Sequence, residues 1–533
     1  MRKSGVLLHV TSLPNDEGIG TLGPEAHEFV DLLARSGVRV WQIPPVHPTI
    51  IGDSPFQGPS VFAGNPNIIS LRALVAKGDL LEEEYDEFVG EWRSYRDAHP
   101  GRSDGYVEYG FVWDAKLGFD SFRDDYDRAP LRRAHERFRL EASPERREAF
   151  ERFREESAGW LRDYAIFMAI KESYGFGVLW CEWQEEERFR QAGFDEAVDP
   201  HSLGFYEYVQ FVFEEQMDAL VSHARSRGVE LIGDLAVYPG YDSADVWANR
   251  GLFQLDSDGE MTHVAAVPPD YFSEEGQLWG NPLYDWADES KREALYKWWA
   301  RRMRRETRFF SRIKIDHFRG FESYGRVSAD AETAVDAKWT PGPGKAFFDY
   351  LKRELGGLPV IAEDLGIITD GVRKLLRNVG CPGMRVFIFV NWEEYDLEEP
   401  PESNRHAYLP HNAAEAPNSV FYTGTHDNET LRQKIEDVCP EAERKAILTY
   451  LDLSSEEGVN WRAIDLISAS GSDLVIFPAQ DVLYLGAEGR MNNPSDDHGW
   501  WKWRLTPGLM DRLEGECAER MRAIALRHGR ASG

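Results

Sequence analysis

Eight short apolar runs, mostly ending in a polar residue and separated by helix-like stretches, limit what this chain can fold into. They are residues 5–9 (GVLLH), 38–44 (VRVWQIP), 230–237 (ELIGDLAV), 312–316 (RIKID), 360–363 (VIAE), 384–389 (MRVFIF), 420–422 (VFY) and 473–477 (DLVIF). Alternation of strand and helix implies a parallel sheet, and eight such units imply a closed (β/α)8 TIM barrel. An amphipathic helix is expected between the first two runs, from Glu25 to Ser36.

The spacing is uneven. A long, charged and mostly helical stretch separates the second and third runs, and it reads as an insertion over about 75–205. A separate domain is the alternative, but no Pro/Gly/Ser-rich linker marks a boundary. Residues 1–533 are therefore expected to form one catalytic barrel, with a second loop and helical insertion over 238–300. Within it, 267–286 (VPPDYFSEEGQLWGNPLYDW) reads as a loop from its Pro, Gly and Asn content. Residues 507–528 read as one closing helix, with no C-terminal β domain after it.

Charge narrows the partners. With 61 Lys+Arg against 92 Asp+Glu the net charge is −31, which argues against nucleic acid or an anionic membrane surface. No run of apolar residues is long enough to span a bilayer, and the first residues are too short an apolar stretch for a secretory signal. Cys181, Cys381, Cys439 and Cys517 are scattered without metal-type spacing, which suits reduced thiols in a cytoplasmic protein.

Barrels of this kind place their chemistry at the C-terminal ends of strands. Asp316 and Glu363 end two runs, Asp234 stands in the third, and Asp427 lies just after the seventh in TGTHDN. Side chains alternate along a strand, so Lys314 and Asp316 share a face opposite Ile313 and Ile315. Convergent carboxylates suit glycoside chemistry, with one as nucleophile and one as proton donor. Helix caps, ion pairs or a Mg²⁺ or Ca²⁺ site are the rival readings of such acids, but no tight acidic ligand loop is visible. The 267–286 segment adds Tyr271, Phe272, Trp279, Tyr284 and Trp286, whose faces can stack on sugar rings, and Gln277 and Asn281, whose amides can bond hydroxyls. Some of these aromatics must instead pack the segment onto the barrel.

On these residues the chain resembles the 4-α-glucanotransferases, amylomaltases or disproportionating enzymes, of glycoside hydrolase family 77. The resemblance runs nearly end to end, through SGVLLHVTSLP at 4–14, DSPFQ at 53–57, FAGNP at 62–66, the 268–286 segment, IDHFRGF at 315–321, AEDLG at 362–366 and TGTHDN at 423–428. It implies Asp316 as nucleophile, Glu363 as general acid/base and Asp427 as the carboxylate that binds sugar hydroxyls. It also implies that His317, His426 and Asp234 line the donor sugar, and that Ser54, Gln277, Trp279 and Asn492 hold the acceptor side. Tyr271 and Phe272 would belong to a covering loop, and Lys314, Phe56, Asn281 and Phe389 complete the implied substrate-binding set. The implied substrates are maltooligosaccharides and α-1,4-glucans, with no cofactor and no metal. A hydrolase of the same mechanism and a non-catalytic glucan-binding barrel are the alternatives.

Several positions depart from the family pattern, among them Ala236 and Pro239-Gly240 after Asp234. Lys314 replaces the usual Arg beneath the nucleophile, keeping the charge but losing the two-pronged geometry, so altered activity is expected. Phe56 replaces a Tyr, Gly325 replaces a frequent Trp, and no aromatic stands near Ile51. Arg312 shares the face of Lys314 but is expected to lie too deep to substitute for the missing Arg.

Overall fold

The computed structural model describes residues 2–49, 53–100, 105–118, 128–269, 274–390, 392, 418–494, 496 and 499–531. Eight parallel strands close into a barrel: β1 (Lys3–Leu7), β2 (Val40–Ile43), β3 (Glu230–Leu235), β4 (Arg312–Ile315), β5 (Val360–Ala362), β6 (Gly383–Val386), β7 (Ser419–Tyr422) and β8 (Leu474–Pro478). Each strand pairs with its neighbours in chain order, and β8 returns to β1. All eight runs read from the sequence are these strands.

The strands are almost wholly buried because helices cover the outside while side chains fill the inside. The first covering helix, Pro24–Arg35, shows how the sequence specifies this. Pro24 occupies its first turn, and Ala26, Phe29, Val30, Leu32 and Leu33 form its buried stripe. Gly233, beside Asp234 on β3, is glycine for a packing reason: a Cβ there would stand 2.6 Å from the Phe310 ring.

Between β2 and β3 the chain forms helices Leu71–Lys77, Glu82–Ala98, Pro130–Glu141, Pro144–Glu156 and Leu161–Ser173. The boundary expected near 205 falls inside one helix of 27 residues, Pro200–Ser226, which leads directly into β3. Asp199 caps its start by accepting from His201 N at 3.2 Å and Ser202 N at 3.1 Å. The inserted helices thus feed into a barrel crossover helix without a break.

Two further expectations are corrected. The 267–286 segment is not loop throughout. Gln277–Pro282 is a strand pairing antiparallel with His263–Val267, in a four-stranded sheet completed by Ser323–Ser328 and Lys338–Pro341. It is an edge strand, where Pro and Gly are tolerated because one side of the backbone needs no partner. The closing helix is also interrupted, into Pro507–Arg512 and Ala518–Arg527, with Gly515 at non-helical φ −86° and ψ −107° between them. Among the described residues, no strand follows β8 and no helix is long and apolar enough to cross a membrane. All four cysteines are free thiols.

Candidate active site

Strand register brings the charged residues together. Asp234 on β3 lies opposite Lys314 on β4, and Ile315 lies opposite Ala362 on β5, which places Asp316 beside Glu363. The Lys314 ammonium is buried and donates to Asp234 Oδ1 at 3.1 Å, Asp234 Oδ2 at 3.0 Å and Asp316 Oδ1 at 2.8 Å. Burial disfavours its charge, but Asp234, Asp316, Asp427 and Glu363 outweigh that and hold it well above the ordinary lysine range. Arg312, by contrast, sits at the exposed start of β4, far down the strand from this cluster.

The ladder continues one residue past β4, with Asp316 N donating to Leu235 O at 2.9 Å. The chain then turns sharply. His317 adopts the left-handed region at φ 47° and ψ 49°, which costs a non-glycine residue on the order of 1 kcal/mol or more. That turn aims the His317 N–H at Glu363 Oε2, 2.7 Å away. Leu365 N donates to the other oxygen at 2.8 Å. Burial and then the neighbouring Asp316 push the Glu363 carboxyl up to about 8, against the pull of Lys314 and the two backbone donors. Glu363 is thus a carboxyl that holds a proton at neutral pH, beside a carboxylate paired with an ammonium. Desolvation pushes the half-buried His317 ring down to about 4, and it meets Trp279 edge-on at 4.6 Å between ring centroids.

The third carboxylate comes from the loop after β7. Asp427 Oδ1 accepts from Asn492 Nδ2 at 2.7 Å, and Oδ2 lies 3.3 Å from His426 Nε2. Burial would raise Asp427, but the His426 charge and bond, Lys314 and Asn492 hold it well below the usual carboxylate range. His426 is buried too, yet Asp427 keeps its pKa raised. Its Nδ1 faces Asp234 Oδ2 at 3.9 Å. One polar chain therefore runs from Asp427 through His426, Asp234 and Lys314 to Asp316.

Other expected residues surround this chain. Phe56 stacks on His426 at 5.4 Å and lies 5.6 Å from Trp501. Ser54 Oγ accepts from Phe56 N at 3.3 Å, while neighbouring Asp53 pairs with Lys502 at 3.1 Å. Gln277 Oε1 accepts from Trp279 Nε1 at 3.1 Å. Asn281 is used structurally, donating from Nδ2 to Pro239 O at 3.0 Å and tying the edge strand to the segment after β3. Asn492, expected on the acceptor side, is the partner of Asp427. Phe389 is half-buried in the turn after β6 and packs on the core. Tyr271, Phe272 and Ile51 lie outside the described residues. A cavity of about 760 Å³ lined by Arg250, Lys297, Arg301, Arg304 and Tyr350 contains none of these groups, so chemistry rather than volume locates the site.

Gly325 has a local cause. A Cβ there would stand 1.8 Å from Ala266 O, so its strand lies too close to His263–Val267 for any side chain. Two further acids escaped sequence reasoning, the half-buried Asp364 and the buried Asp481. Asp364 is pushed up to about 7 by burial and accepts from Met384 N at 2.7 Å. Asp481, after β8, is described below. Asp364 stood inside the AEDLG motif and could have been flagged; Asp481 carried no sequence signal.

Residues 8–510 match the glycoside hydrolase 77 family, described as 4-alpha-glucanotransferase. The chain belongs to this family. It is 40% identical to the 4-alpha-glucanotransferase of Thermus thermophilus over 98% of both chains. It is 37% identical to the chloroplastic/amyloplastic enzyme of Solanum tuberosum, covering 99% of this chain and 86% of that one. The amylomaltase of Streptococcus agalactiae, solved in complex with acarbose, superimposes with a TM-score of 0.86 at 32% identity over 100% of both chains.

Proposed function

We propose that this chain transfers α-1,4-glucan segments from one maltooligosaccharide to the 4-hydroxyl of another, with retention. Asp316 attacks the anomeric carbon, and a bond forms between its carboxylate oxygen and that carbon as the bond to the departing glucan's O4 breaks. Glu363 gives its proton to that O4. A second glucan's 4-hydroxyl then passes its proton to Glu363 and attacks the anomeric carbon, releasing the Asp316 carboxylate. Asp427 binds sugar hydroxyls and stabilises the positive charge that builds on the ring in each step. Asp234 and His426 line the donor sugar. The observation that carries this reading is the contrast between two neighbouring carboxyls: Glu363, pushed up to about 8, and Asp316, paired with the Lys314 ammonium at 2.8 Å.

Transfer requires an acceptor sugar to outcompete water at the intermediate. The Trp279 ring, set against His317 beside the nucleophile, supports an acceptor platform there. The setting we propose is cytosolic maltodextrin or glycogen metabolism, and the four free thiols support it. The whole chain acts as one catalytic barrel.

The test is incubation with maltotriose at low and high salt, with products separated by length. A ladder of longer maltooligosaccharides plus glucose is expected. Glucose and maltose alone would make the chain a hydrolase, and no product at either salt would overturn catalysis. Asp316→Asn should abolish turnover in a folded protein; full activity in that variant would overturn the nucleophile assignment.

A further inference from the structure

Asp481 lies in the short helix Ala479–Val482 that follows β8, and it is fully buried. Its two carboxylate oxygens grip the two ends of the loop over 423–431. Oδ2 accepts from Thr423 Oγ1 at 2.6 Å, and Oδ1 accepts from Leu431 N at 2.7 Å. His426, Asp427 and Asn428 all lie between those anchors. The turn that carries Asp481 is itself fixed, because Asn460 Nδ2 donates to Asp481 O and Val482 O at 3.1 Å each.

The rest of the loop is built around that grip. Asn428 Oδ1 accepts from Thr425 N at 3.1 Å and Thr425 Oγ1 at 2.8 Å, forming a local turn under Asp427. Thr430 Oγ1 donates to Leu485 O at 2.7 Å, and Ile388 N donates to Thr423 O at 3.2 Å. Leu431 N can only donate, while the Thr423 hydroxyl can donate or accept, so the position needs a side chain that accepts at one end and bonds a hydroxyl at the other. Burial pushes this carboxyl up to about 6, so the fold keeps a costly group here and hydrogen-bonds both of its oxygens.

We propose that Asp481 is the positioning residue of the third carboxylate: by clasping both ends of the 423–431 loop, it holds Asp427 and His426 in line with the Asp234–Lys314 pair. It touches no substrate and acts on the reaction only through that loop. The inference rests on the glucanotransferase reading.

The experiment is a double-mutant cycle on maltotriose disproportionation. An α-glucosyl fluoride donor keeps slow variants measurable. Misplacing a reacting group by an ångström costs on the order of 100-fold, so Asp481→Ala should lower kcat/KM by about that factor. Asp481→Asn keeps the acceptor for Leu431 N and can donate to Thr423 Oγ1, so it should recover most of the loss. In an Asp427→Ala background, Asp481→Ala should cost no more than about 3-fold, because the group it positions is gone. Equal losses in both backgrounds would overturn the proposal, as would wild-type rates in Asp481→Ala. If the alanine variant fails to fold, Thr423→Val cuts one anchor only, and its loss should likewise vanish without Asp427. A wild-type chain that extends no glucan would instead refute the transferase reading itself.

Discussion

Replacing Lys314 with Met removes the cation that Asp234 and Asp316 share. Asp316 is partly open to solvent, with 30% of its side chain exposed, and can be rehydrated; Asp234 is fully enclosed and cannot. The variant must therefore either bury an Asp234 charge left with only His426 Nδ1 at 3.9 Å and the Leu235 N–H at 3.0 Å among the described residues, or take up a proton on Asp234. Protonation limits the penalty. An unfolded Asp titrates near 3.9, so placing a proton on it at pH 7 costs about 1.4 kcal/mol for each of roughly three pH units, or about 4 kcal/mol. That agrees with the roughly 3–5 kcal/mol seen when one partner of a buried pair is removed. At pH 5 the same step costs only about 1.5 kcal/mol. The sign follows from linkage. Burial already raises Asp234, and without Lys314 the folded state holds a proton that the unfolded state has released above pH 4, so stability falls as pH rises. Urea unfolding of wild type and Lys314→Met at pH 5 and pH 7 measures this. The deficit should grow by about 2–3 kcal/mol across that interval. An equal deficit at both pH values would refute the argument that Lys314 serves as the counter-ion of Asp234. Lys314→Arg keeps the charge and should raise turnover if two-pronged geometry matters; an unchanged rate would mean that a point charge suffices.

Three further outcomes follow from the same geometry. Glu363 must carry its proton for donor cleavage, so kcat/KM should fall as pH rises through about 8, and Glu363→Gln should remove both that limb and most activity; a flat profile to pH 9.5 would contradict the assignment. Asn492→Ala deletes the 2.7 Å bond to Asp427 and should lower kcat/KM by about 10-fold, and an unchanged rate would mean that His426 and Lys314 hold Asp427 without it. Trp279→Ala opens the flank of His317 to water and should raise glucose release relative to chain lengthening several-fold, read from maltotriose product ratios; an unchanged ratio would mean that another residue excludes water.

The barrel was legible because each strand is a compact apolar run flanked by helix, and because period-two alternation alone places Lys314 and Asp316 on one inward face. The edge strand Gln277–Pro282 was not. It pairs with His263–Val267, which ends only ten residues before it and pairs on its other side with the sequence-distant Ser323–Ser328, and its own Pro, Gly and Asn content resembles a turn. The site's carboxylates were visible as strand ends and the family resemblance implied their roles, but the contacts that would set those roles were not. Burial raises both Glu363 and Asp427, and the contrast comes from which charges stand beside them, Asp316 next to Glu363 and His426 and Lys314 next to Asp427, none of which a linear pattern displays. Asp481 is the clearest case, since its meaning lies wholly in which two donors fold back onto it.

The departures from the family pattern look different once these contacts are known. Lys314 reaches three carboxylate oxygens between 2.8 and 3.1 Å, so it neutralises both neighbours without a planar fork. Phe56 gives up a hydroxyl but stacks its ring on His426, the imidazole that joins Asp427 to Asp234. Gly325 is dictated by a neighbouring carbonyl rather than by loss of a contact. A decaying site would leave buried charges without partners, because nothing would select against the variants that strand them. Here Asp234, Lys314, His426 and Asp427 are joined in one continuous chain of charge pairs, and Glu363 is held by backbone donors on both oxygens. Those pairings, with His426 held between Asp427 and Asp234 at 3.3 and 3.9 Å, make the non-catalytic barrel the weaker reading.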